Sequence, residues 1–499
     1  MWSLLLLILS IYLVLVYRRR REHFALFNKL GLSGPTPSVL TGNLLQLLKL
    51  GHTEAFRKWQ RLFGDTYGYF YGLQPIIVTT DVELLRKVLL KDAHVFYNRM
   101  FQFNLDTPHP VAGRQVHILR DANEIKAVRT QFTSAFTSSK LKKVIQTQED
   151  AIRLFLEVVK PFAVAGNAFE ISKPLKRLAM DVVSRTTFGL ALPVQTAEKV
   201  PEILYLCEKI ALESLTSKTE FLATCLPASI TQPTLRALYA VKLLAHSMDP
   251  LVKKIGAIID VRRGNPDRCG TIVDNLLYKK ILGRQMTEEE IMANAATAFF
   301  AGFDTSAVTL TLIVYRLGRH PEWQEKLRDE IRELWNEADA SASISSLKLL
   351  DRFISETLRL QPPAPAFVLR EAAKDYWHGS LLIPQGTSIQ VPLTVLQRDP
   401  KVFPKPNEFD PDRFALNLPS AYYMPFGEGP RSCVGMRFAL TLVKQTTVRL
   451  LQNYRVHLSK QLQVEKTNQP MGVTLKPFFP DAGGLSAISD AIPDTIYLT

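Results

Sequence analysis

One cysteine in this chain stands in a setting that few folds can accommodate. Cys433 lies in the stretch PFGEGPRSCVGMRFAL (Pro425 to Leu440), among glycines, two residues after Arg431 and just before a predicted helix. The chain has four cysteines, and the other three show no CxxC or Cys/His spacing. A disulfide framework is therefore not predicted. Two interpretations follow: a buried structural cysteine in a glycine-rich turn, or a thiolate that binds a metal.

The surroundings of Cys433 favour the thiolate. The pKa of a cysteine falls beside a cation and at a helix N-terminus, and this stretch offers both. The glycines allow tight turns and the close approach of a flat group to the backbone. One thiolate cannot hold zinc or an iron–sulfur cluster alone, but it can hold an iron atom whose other ligands come from a macrocycle. These residues therefore indicate haem.

The whole stretch matches the pattern F-x-x-G-x-R-x-C-x-G, at Phe426, Gly429, Arg431, Cys433 and Gly435. This pattern resembles the haem-binding signature of the cytochrome P450 family. The resemblance implies the cytochrome P450 fold, which is mainly α with small β-sheets. It also implies a haem b cofactor (iron protoporphyrin IX) that these five residues contact, with Cys433 bound to the iron.

A second motif, AGFDTS (Ala301 to Ser306), lies in a long predicted helix. Its small residues let a flat cofactor approach, and a threonine hydroxyl in mid-helix can compete for a backbone carbonyl. The resemblance implies that Thr305 and Asp304 are catalytic, with Thr305 steadying the bound oxygen and Asp304 taking part in proton delivery. The alternative is an ordinary helix with a glycine kink and an exposed aspartate.

Two further motifs predict a structural network of charges. ISETLRL contains Glu356 and Arg359, which lie one helical turn apart and can pair. PDRF (Pro411 to Phe414) supplies Arg413, where the family commonly has P-E-R-F. The resemblance implies that the three side chains form a buried network that holds the irregular segment before Cys433.

Haem carries two propionates that need cations, and the sequence offers four arginines. Arg431 is the first candidate, with Arg99, Arg129 and Arg370 as the others. In NEIKAVRTQF the family usually has W-x-x-x-R, whereas this chain has Ile125 at the tryptophan position. One propionate hydrogen bond is therefore expected to be missing or replaced.

The substrate pocket that the resemblance implies is nearly all apolar. Such a pocket favours a lipophilic substrate: a xenobiotic, a steroid, a fatty acid or another lipid. No fixed charge stands out that would select a carboxylate or an amine. The candidate pocket residues are Phe300, Ala301, Thr305, Ala364, Ala366 and Phe367, with the loop from Met100 to Ala112.

The source of electrons is expected outside this chain, because no flavin or nicotinamide motif is found. We expect NADPH-cytochrome P450 reductase as a partner, and cytochrome b5 is a second candidate. The net charge is +14, but the body of the chain has no long Lys/Arg run, so nucleic acid is not predicted. A basic face would suit an acidic redox partner, although the same lysines can form a solvated helix face. These candidate residues are Lys126, Lys140, Lys142 and Lys143.

The first residues predict a membrane anchor. WSLLLLILSIYLVLVY (Trp2 to Tyr17) is apolar and would form a helix of about 24 Å. A cleaved secretory signal is the alternative, but the arginine run follows the apolar stretch, where a cleavage site would be expected. The positive-inside rule then leaves the rest of the chain cytosolic, and the resemblance implies the endoplasmic reticulum membrane. We expect an anchor at residues 1–17, a basic linker at 18–34 and the catalytic domain at 35–499, with an undefined tail after about 477.

Most of the chain up to about Leu360 has helical periodicity. A hairpin is predicted from Tyr67 to Asp81, short strands and an irregular segment follow Pro362, and a last helix is predicted from Gly435 to about Gln452.

Two other functions stay open at this point. A haem-thiolate isomerase or dehydratase would act on lipid peroxides without a reductase, although the presence of both Asp304 and Thr305 argues against it. A non-catalytic carrier of haem or of a lipophilic ligand at the membrane is the other.

Overall fold

In the computed structural model, the chain is described at residues 2–99, 107–165, 169–264, 270–416, 420–458 and 496–498. It is mainly helical with small sheets, which confirms the predicted fold class. The helices are α1 Trp2–Phe24, α2 Leu26–Lys29, α3 Leu44–Leu50, α4 His52–Phe63, α5 Val82–Arg86, α6 Ala122–Thr133, α7 Ser138–Ala165, α8 Ser172–Phe188, α9 Glu202–Thr216, α10 Lys218–Cys225, α11 Ala228–Ala240, α12 Asp249–Arg263, α13 Ile272–Tyr278, α14 Glu288–Arg319, α15 Pro321–Leu334, α16 Ala340–Ser346, α17 Lys348–Leu360, α18 Leu393–Leu396 and α19 Met436–Asn453. The strands are β1 Thr66–Tyr71, β2 Gln74–Thr79, β3 Leu369–Glu371, β4 Tyr376–His378, β5 Leu381–Ile383, β6 Ser388–Gln390, β7 Val456–Leu458 and β8 Ile496–Leu498.

The long helix α14 forms the centre of the helical core. Thr287 caps its first turn: the backbone N–H of Glu290 donates to the threonine hydroxyl at 3.3 Å, and the Glu290 carboxylate accepts from the Thr287 N–H at 2.8 Å. This capping box satisfies N–H groups that would otherwise lack partners at the helix start. Although α14 is long and apolar enough to cross a membrane, most of its apolar window is buried inside the protein. It packs against α8, α12 and α19 and supplies one wall of the central cavity.

The largest described sheet has the strand order β1-β2-β6-β3. The hairpin predicted from Tyr67 to Asp81 is confirmed as β1 and β2, with Gly72 at a φ of 61° in the turn. Strand β2 then pairs in parallel with β6, starting at Ile76, and β3 pairs antiparallel with β6. The sheet therefore brings β3, which carries Arg370, back to the N-terminal half of the chain.

The second half of α1, from Arg20 onwards, contacts the rest of the protein. Residues 18–24, expected to begin a linker, continue α1 as one helix to Phe24. The ring of Phe24 lies 4.9 Å from that of Phe70 in β1. Arg20 donates to the carbonyls of Leu40 at 2.9 Å and of Cys225 at 2.6 Å. The apolar half of α1 is exposed, as a membrane anchor requires, and its basic half is held by side-chain contacts to the domain.

Candidate active site

A cavity of about 990 Å³ lies between α14 and the segment that leads into α19. Both Cys433 and Thr305 line it, so the two principal motifs of the sequence meet at one space. Ligand pockets typically measure about 300–1,000 Å³, which places this cavity at the upper end of that range. It therefore has room for a large planar cofactor together with a substrate.

The thiol of Cys433 is exposed to this internal cavity rather than to the outer surface. Its backbone N–H donates to the Phe426 carbonyl at 2.8 Å, which closes the loop between the two residues. Burial raises the pKa of the thiol, while a hydrogen bond from the Gly435 N–H and the charges of Arg129 and Arg99 lower it. The same donors would stabilise a thiolate once a metal replaces the proton.

The glycines of the Cys433 loop are required for different reasons: backbone angle at some positions and close packing at others. Gly427 and Gly429 have φ angles of 69° and 75°, in the region that favours glycine. A Cβ at Gly429 would overlap the Leu89 carbonyl oxygen, so the close approach at this position is to protein backbone and not to a flat ligand. A Cβ at Gly435 would lie 4.0 Å from the Cys433 sulfur, so the two groups are neighbours. The Gly435 N–H is hydrogen-bonded to this sulfur.

The four arginines predicted to bind propionates all line the same cavity. Arg99 donates to the carbonyl of Arg431 at 2.6 Å, and Arg129 donates to the carbonyl of Ser432 at 2.8 Å. Arg370 and Arg431 are almost completely buried. Arg370 donates to the carbonyl of Glu428 at 3.2 Å, so three separate parts of the chain are hydrogen-bonded to the loop that carries Cys433.

The arginine cluster carries positive charge that no described carboxylate offsets. Burial and the neighbouring arginines lower the pKa of Arg370 to about 9, and burial and Arg129 lower that of Arg431 to about 10. The Nε of Arg99 and the Nε and Nη1 of Arg431 are buried without a hydrogen-bond partner among the described residues. Because unpaired buried charge is costly, this cluster is suited to an anion, and the two carboxylates of haem fit it.

The AGFDTS motif lies on α14 at the cavity wall. The hydroxyl of Thr305 donates to the Ala301 carbonyl at 2.7 Å, and α14 continues as a regular helix through this point. The buried Asp304 also lines the cavity. Glycine at position 302 allows α14 and α8 to pack closely, because a Cβ there would lie 3.2 Å from Val183 of α8. The motif therefore combines close helix packing with a hydroxyl and a carboxylate at one cavity.

The predicted charge network is assembled around Glu356, which is completely buried together with Arg359. Arg359 donates two hydrogen bonds to the Glu356 carboxylate, at 2.6 and 2.8 Å. The Nε of Arg413 lies 3.5 Å from the same carboxylate. Arg359 also donates to the carbonyls of Gln397 and Pro406, at 2.9 and 2.8 Å. The network thus fastens the irregular segment to α17 upstream of the Cys433 loop.

Four of the predicted pocket residues besides Thr305 line the cavity: Phe300, Ala301, Ala364 and Phe367. Ala366 does not line it within the described structure; its side chain is buried and its carbonyl accepts a hydrogen bond from Gln390 at 3.0 Å. Of the predicted loop Met100 to Ala112, the part up to Asp106 lies outside the described residues.

Part of the cavity lining is polar, which the sequence analysis missed. Lys209, Glu220, His246 and Asp249 are among the lining residues. The Nε2 of His109 lies 3.1 Å from the Asp249 carboxylate. The only signal was the charge of these residues, because they are scattered over helices and loops that carry no motif.

Three of the four lysines predicted to form a basic face are exposed, and the fourth is hydrogen-bonded to the protein. Lys126, Lys142 and Lys143 are exposed, whereas Lys140 donates to the Gly270 carbonyl at 3.1 Å. Lys126 lines a second cavity of about 660 Å³, together with Tyr97, Arg129, Thr130, Thr133, Ser134, Thr137, Gly429 and Pro430.

A thiol beside a buried arginine cluster, with a threonine on the helix that lines the same cavity, is the arrangement required of a haem-thiolate protein. The chain belongs to the cytochrome P450 family, whose family model matches residues 32–478. Membership implies a haem cofactor and haem-thiolate monooxygenase chemistry.

Curated relatives match nearly the whole chain. Cytochrome P450 3A14 of Cavia porcellus is 29% identical, over 92% of this chain and 92% of its own length. Cytochrome P450 3A29 of Sus scrofa is also 29% identical, over 94% of this chain and 93% of its own length. Cytochrome P450 6j1 of Blattella germanica is 28% identical, over 95% of this chain and 96% of its own length.

Proposed function

We propose that this protein is a membrane-bound monooxygenase that inserts one oxygen atom from O2 into a lipophilic organic substrate. The electrons come from NADPH through a separate reductase. The observation that carries the proposal is the shared cavity: Cys433, the arginine cluster and the AGFDTS motif line one space that also has an apolar wall.

Each group of residues has a proposed role. Cys433 is the iron ligand, and the N–H of Gly435 stabilises its negative charge. Arg99, Arg129, Arg370 and Arg431 hold the two propionates. Bound haem supplies the redox chemistry that activates dioxygen.

The protein side of catalysis is proposed to lie on α14. Asp304 and Thr305 hold and deliver the protons that the reduction of dioxygen consumes. Phe300 and Phe367 exclude water and orient the substrate beside these groups.

The proposed substrate is lipophilic because the wall near α14 is apolar: a xenobiotic, a steroid, a fatty acid or another lipid. The charged and polar groups in the lining, such as Lys209 and Glu220, are compatible with a substrate that has one polar end.

The proposed location is the endoplasmic reticulum membrane, with the catalytic domain in the cytosol. The exposed apolar half of α1 supports an anchor, and the arginines that follow it support this orientation. The exposed lysines on α6 and α7 are the proposed contact for the acidic surface of a reductase.

The decisive experiment is carbon monoxide binding to the reduced, purified full-length protein. We expect the red-shifted Soret band of a thiolate-ligated haem, and we expect Cys433→Ser to abolish it. Cys225→Ser is the matched control, because Cys225 does not line the cavity in the described structure, and it should keep the band. Purified protein without iron, or without the red shift, would contradict the proposal.

A second measurement separates monooxygenation from the alternatives. We expect lipophilic compounds that shift the Soret band to be oxidised only when NADPH, reductase and O2 are present. Turnover of a lipid hydroperoxide without a reductase would instead indicate an isomerase or dehydratase. Ligand binding without any NADPH oxidation would indicate a carrier.

A further inference from the structure

Gln115 places an amide group at the wall of the central cavity. The residue lies in the segment before α6, is almost completely buried and lines the cavity. Its Nε2 donates a hydrogen bond to the sulfur of Met248, another lining residue, at 3.1 Å. A thioether sulfur accepts hydrogen bonds and cannot donate them, so this contact decides which end of the amide faces Met248. The other end of the amide is the carbonyl oxygen, Oε1.

The Oε1 atom of Gln115 has an acceptor capacity that the described residues do not use. It accepts no hydrogen bond from them. It is also not among the partnerless side-chain atoms that are fully enclosed by protein, so it contacts open space. Because Gln115 is buried and lines the cavity, that space is the cavity. An amide oxygen has two lone pairs, and a ligand that displaces water from it must supply a donor to avoid a loss of binding energy.

The backbone of Gln115 is held on both sides, which fixes the place of its side chain. The N–H of Val116 donates to the Oδ1 of Asn294 at 2.9 Å, and the Nδ2 of Asn294 donates to the Arg114 carbonyl at 3.1 Å. Asn294 itself is completely buried on α14. The carbonyl of Gln115 accepts from the Ile118 N–H at 2.8 Å. An acceptor that is already positioned loses little conformational entropy when a ligand binds.

The charges near Gln115 favour a neutral donor over a cation. Asp249 follows Met248 in the cavity lining, and its carboxylate already has partners. The Nε2 of His109 lies 3.1 Å from it, and the N–H of His246 donates to it at 2.8 Å. An ammonium group at Gln115 would exchange its hydration for a single neutral acceptor, which is costly. A hydroxyl group has one hydrogen to donate and carries no charge, so it fits this oxygen.

We infer that Gln115 selects lipophilic substrates that carry a hydroxyl group, because its Oε1 accepts a hydrogen bond from that hydroxyl. The inference rests on the proposed function and names the substrate class of the same cavity. A site that hydrogen-bonds a hydroxyl discriminates against an analogue without the donor, since the buried oxygen then loses its partner.

The test uses pairs of probes that differ only in the donor. Each pair is a hydroxyl compound and its methyl ether, made from cholesterol, nonylphenol and dodecanol. The ether keeps the oxygen and the apolar body, but it cannot donate a hydrogen bond. Dissociation constants are measured from the Soret shift of the haem-loaded full-length protein. We expect the hydroxyl compound to bind about fivefold more tightly than its ether in the pairs that shift the band, as for one net hydrogen bond.

Gln115→Met keeps the length of the side chain and removes the amide. The hydroxyl compound and its ether should then bind equally, mainly because the hydroxyl compound binds more weakly. Gln115→Leu also lacks the amide but has a different shape, and it should show the same loss of preference. Gln131→Met is the matched control, because Gln131 is a buried glutamine on α6 that does not line the cavity in the described structure. It should keep the preference of the unmodified protein.

Three outcomes would overturn the inference: no Soret shift with any of the probes, equal binding of every hydroxyl compound and its ether by the unmodified protein, or a preference that persists in Gln115→Met or Gln115→Leu. A failed haem site would be recognised separately, because the unmodified protein would then lack the thiolate-ligated Soret band with carbon monoxide.

Discussion

Glu356 shows how one buried carboxylate can organise a loop. Its oxygens accept from Arg359 and from the backbone N–H of Asp410, at 2.9 Å for the latter, and Arg413 lies nearby. The spacing of the sequence motif predicted the pair of Glu356 and Arg359, because residues three apart on a helix are neighbours. It did not predict the backbone carbonyls that Arg359 binds, because those depend on the path of an irregular segment that no periodic pattern describes.

We predict that Glu356→Gln lowers the free energy of unfolding by about 3–5 kcal/mol, since it leaves buried guanidinium groups without their counter-charge. Chemical denaturation and the fraction of haem-loaded protein measure the effect. Asp412→Asn is the control: Asp412 forms an exposed pair with Arg352 at 3.7 Å, and its loss should cost less than about 1 kcal/mol. Similar losses for the two variants would mean that the Glu356 network contributes no more than a surface pair.

His52 provides a prediction for pH dependence. It is buried at the start of α4, and neither ring nitrogen has a hydrogen-bond partner among the described residues. Burial lowers its pKa from 6.5 to about 4. The unfolded chain therefore binds the proton first, and this group reduces stability as pH falls from 6.5 towards 4, with no effect above 6.5.

We expect His52→Phe to remove about 2 kcal/mol of the stability loss between pH 7 and pH 5, because phenylalanine cannot take up a proton. Urea unfolding at the two pH values measures this difference. His94→Phe, at an exposed position, should leave the pH dependence unchanged. An equally steep loss in His52→Phe and the unmodified protein would show that His52 does not carry it.

At the scale of elements, periodic segments were predictable and the cavity wall was not. The last helix, predicted from Gly435 to about Gln452, is Met436–Asn453. Ala366 was assigned to the pocket by its place in the sequence, yet its side chain is buried in the protein and its carbonyl accepts from Gln390, whereas Ala364 and Phe367 line the cavity. The polar part of the lining was missed because its residues lie on α9, α10, α12 and the loop before α12, which are separate in sequence.

The threonines of α14 allow a prediction about catalysis. Thr305 and Thr311 both donate to the carbonyl four residues earlier, at 2.7 and 2.8 Å, but only Thr305 lines the cavity in the described structure. We predict that Thr305→Val lowers product formed per NADPH consumed by about tenfold or more, with an unchanged Soret band, because proton delivery loses a hydroxyl. Thr311→Val should keep the normal ratio. An unchanged ratio in Thr305→Val would remove Thr305 from the proposed mechanism.

At the scale of the whole molecule, the N-terminal helix contacts the body of the protein. The sequence predicted the apolar helix and a basic linker at residues 18–34, and the first part of that linker is helical, because α1 continues to Phe24. Arg20 was counted only as part of a basic run. The structure gives it three backbone carbonyl partners, in Val39, Leu40 and Cys225, which no local pattern could indicate because they are distant in sequence.

We predict that Arg20→Ala loosens α10 in the membrane-inserted protein, because the carbonyl at its last residue loses its hydrogen bond. Hydrogen exchange of the α10 amides should become several-fold faster, whereas the carbon monoxide spectrum should not change. Arg19→Ala is the control, since Arg19 is exposed on the same helix and keeps the net charge comparable. Equal rates of α10 hydrogen exchange in the two variants would contradict a contribution of Arg20 to the stability of α10.

The hydrogen bond from Arg20 to the Cys225 carbonyl links the proposed anchor helix to a helix that contributes to the cavity lining. Helix α10 carries Glu220, which lines that cavity, and ends at the carbonyl that Arg20 holds. The apolar part of α1 is about 24 Å long, which is shorter than a typical hydrocarbon core of about 30 Å, so an inserted α1 would thin the bilayer around it or draw its flanking arginines towards the lipid. Because Arg20 is one of these arginines, its displacement would be transmitted to α10. For a protein anchored as proposed, we expect the rate of ligand binding to differ between thin and thick bilayers, and to lose this difference in Arg20→Ala.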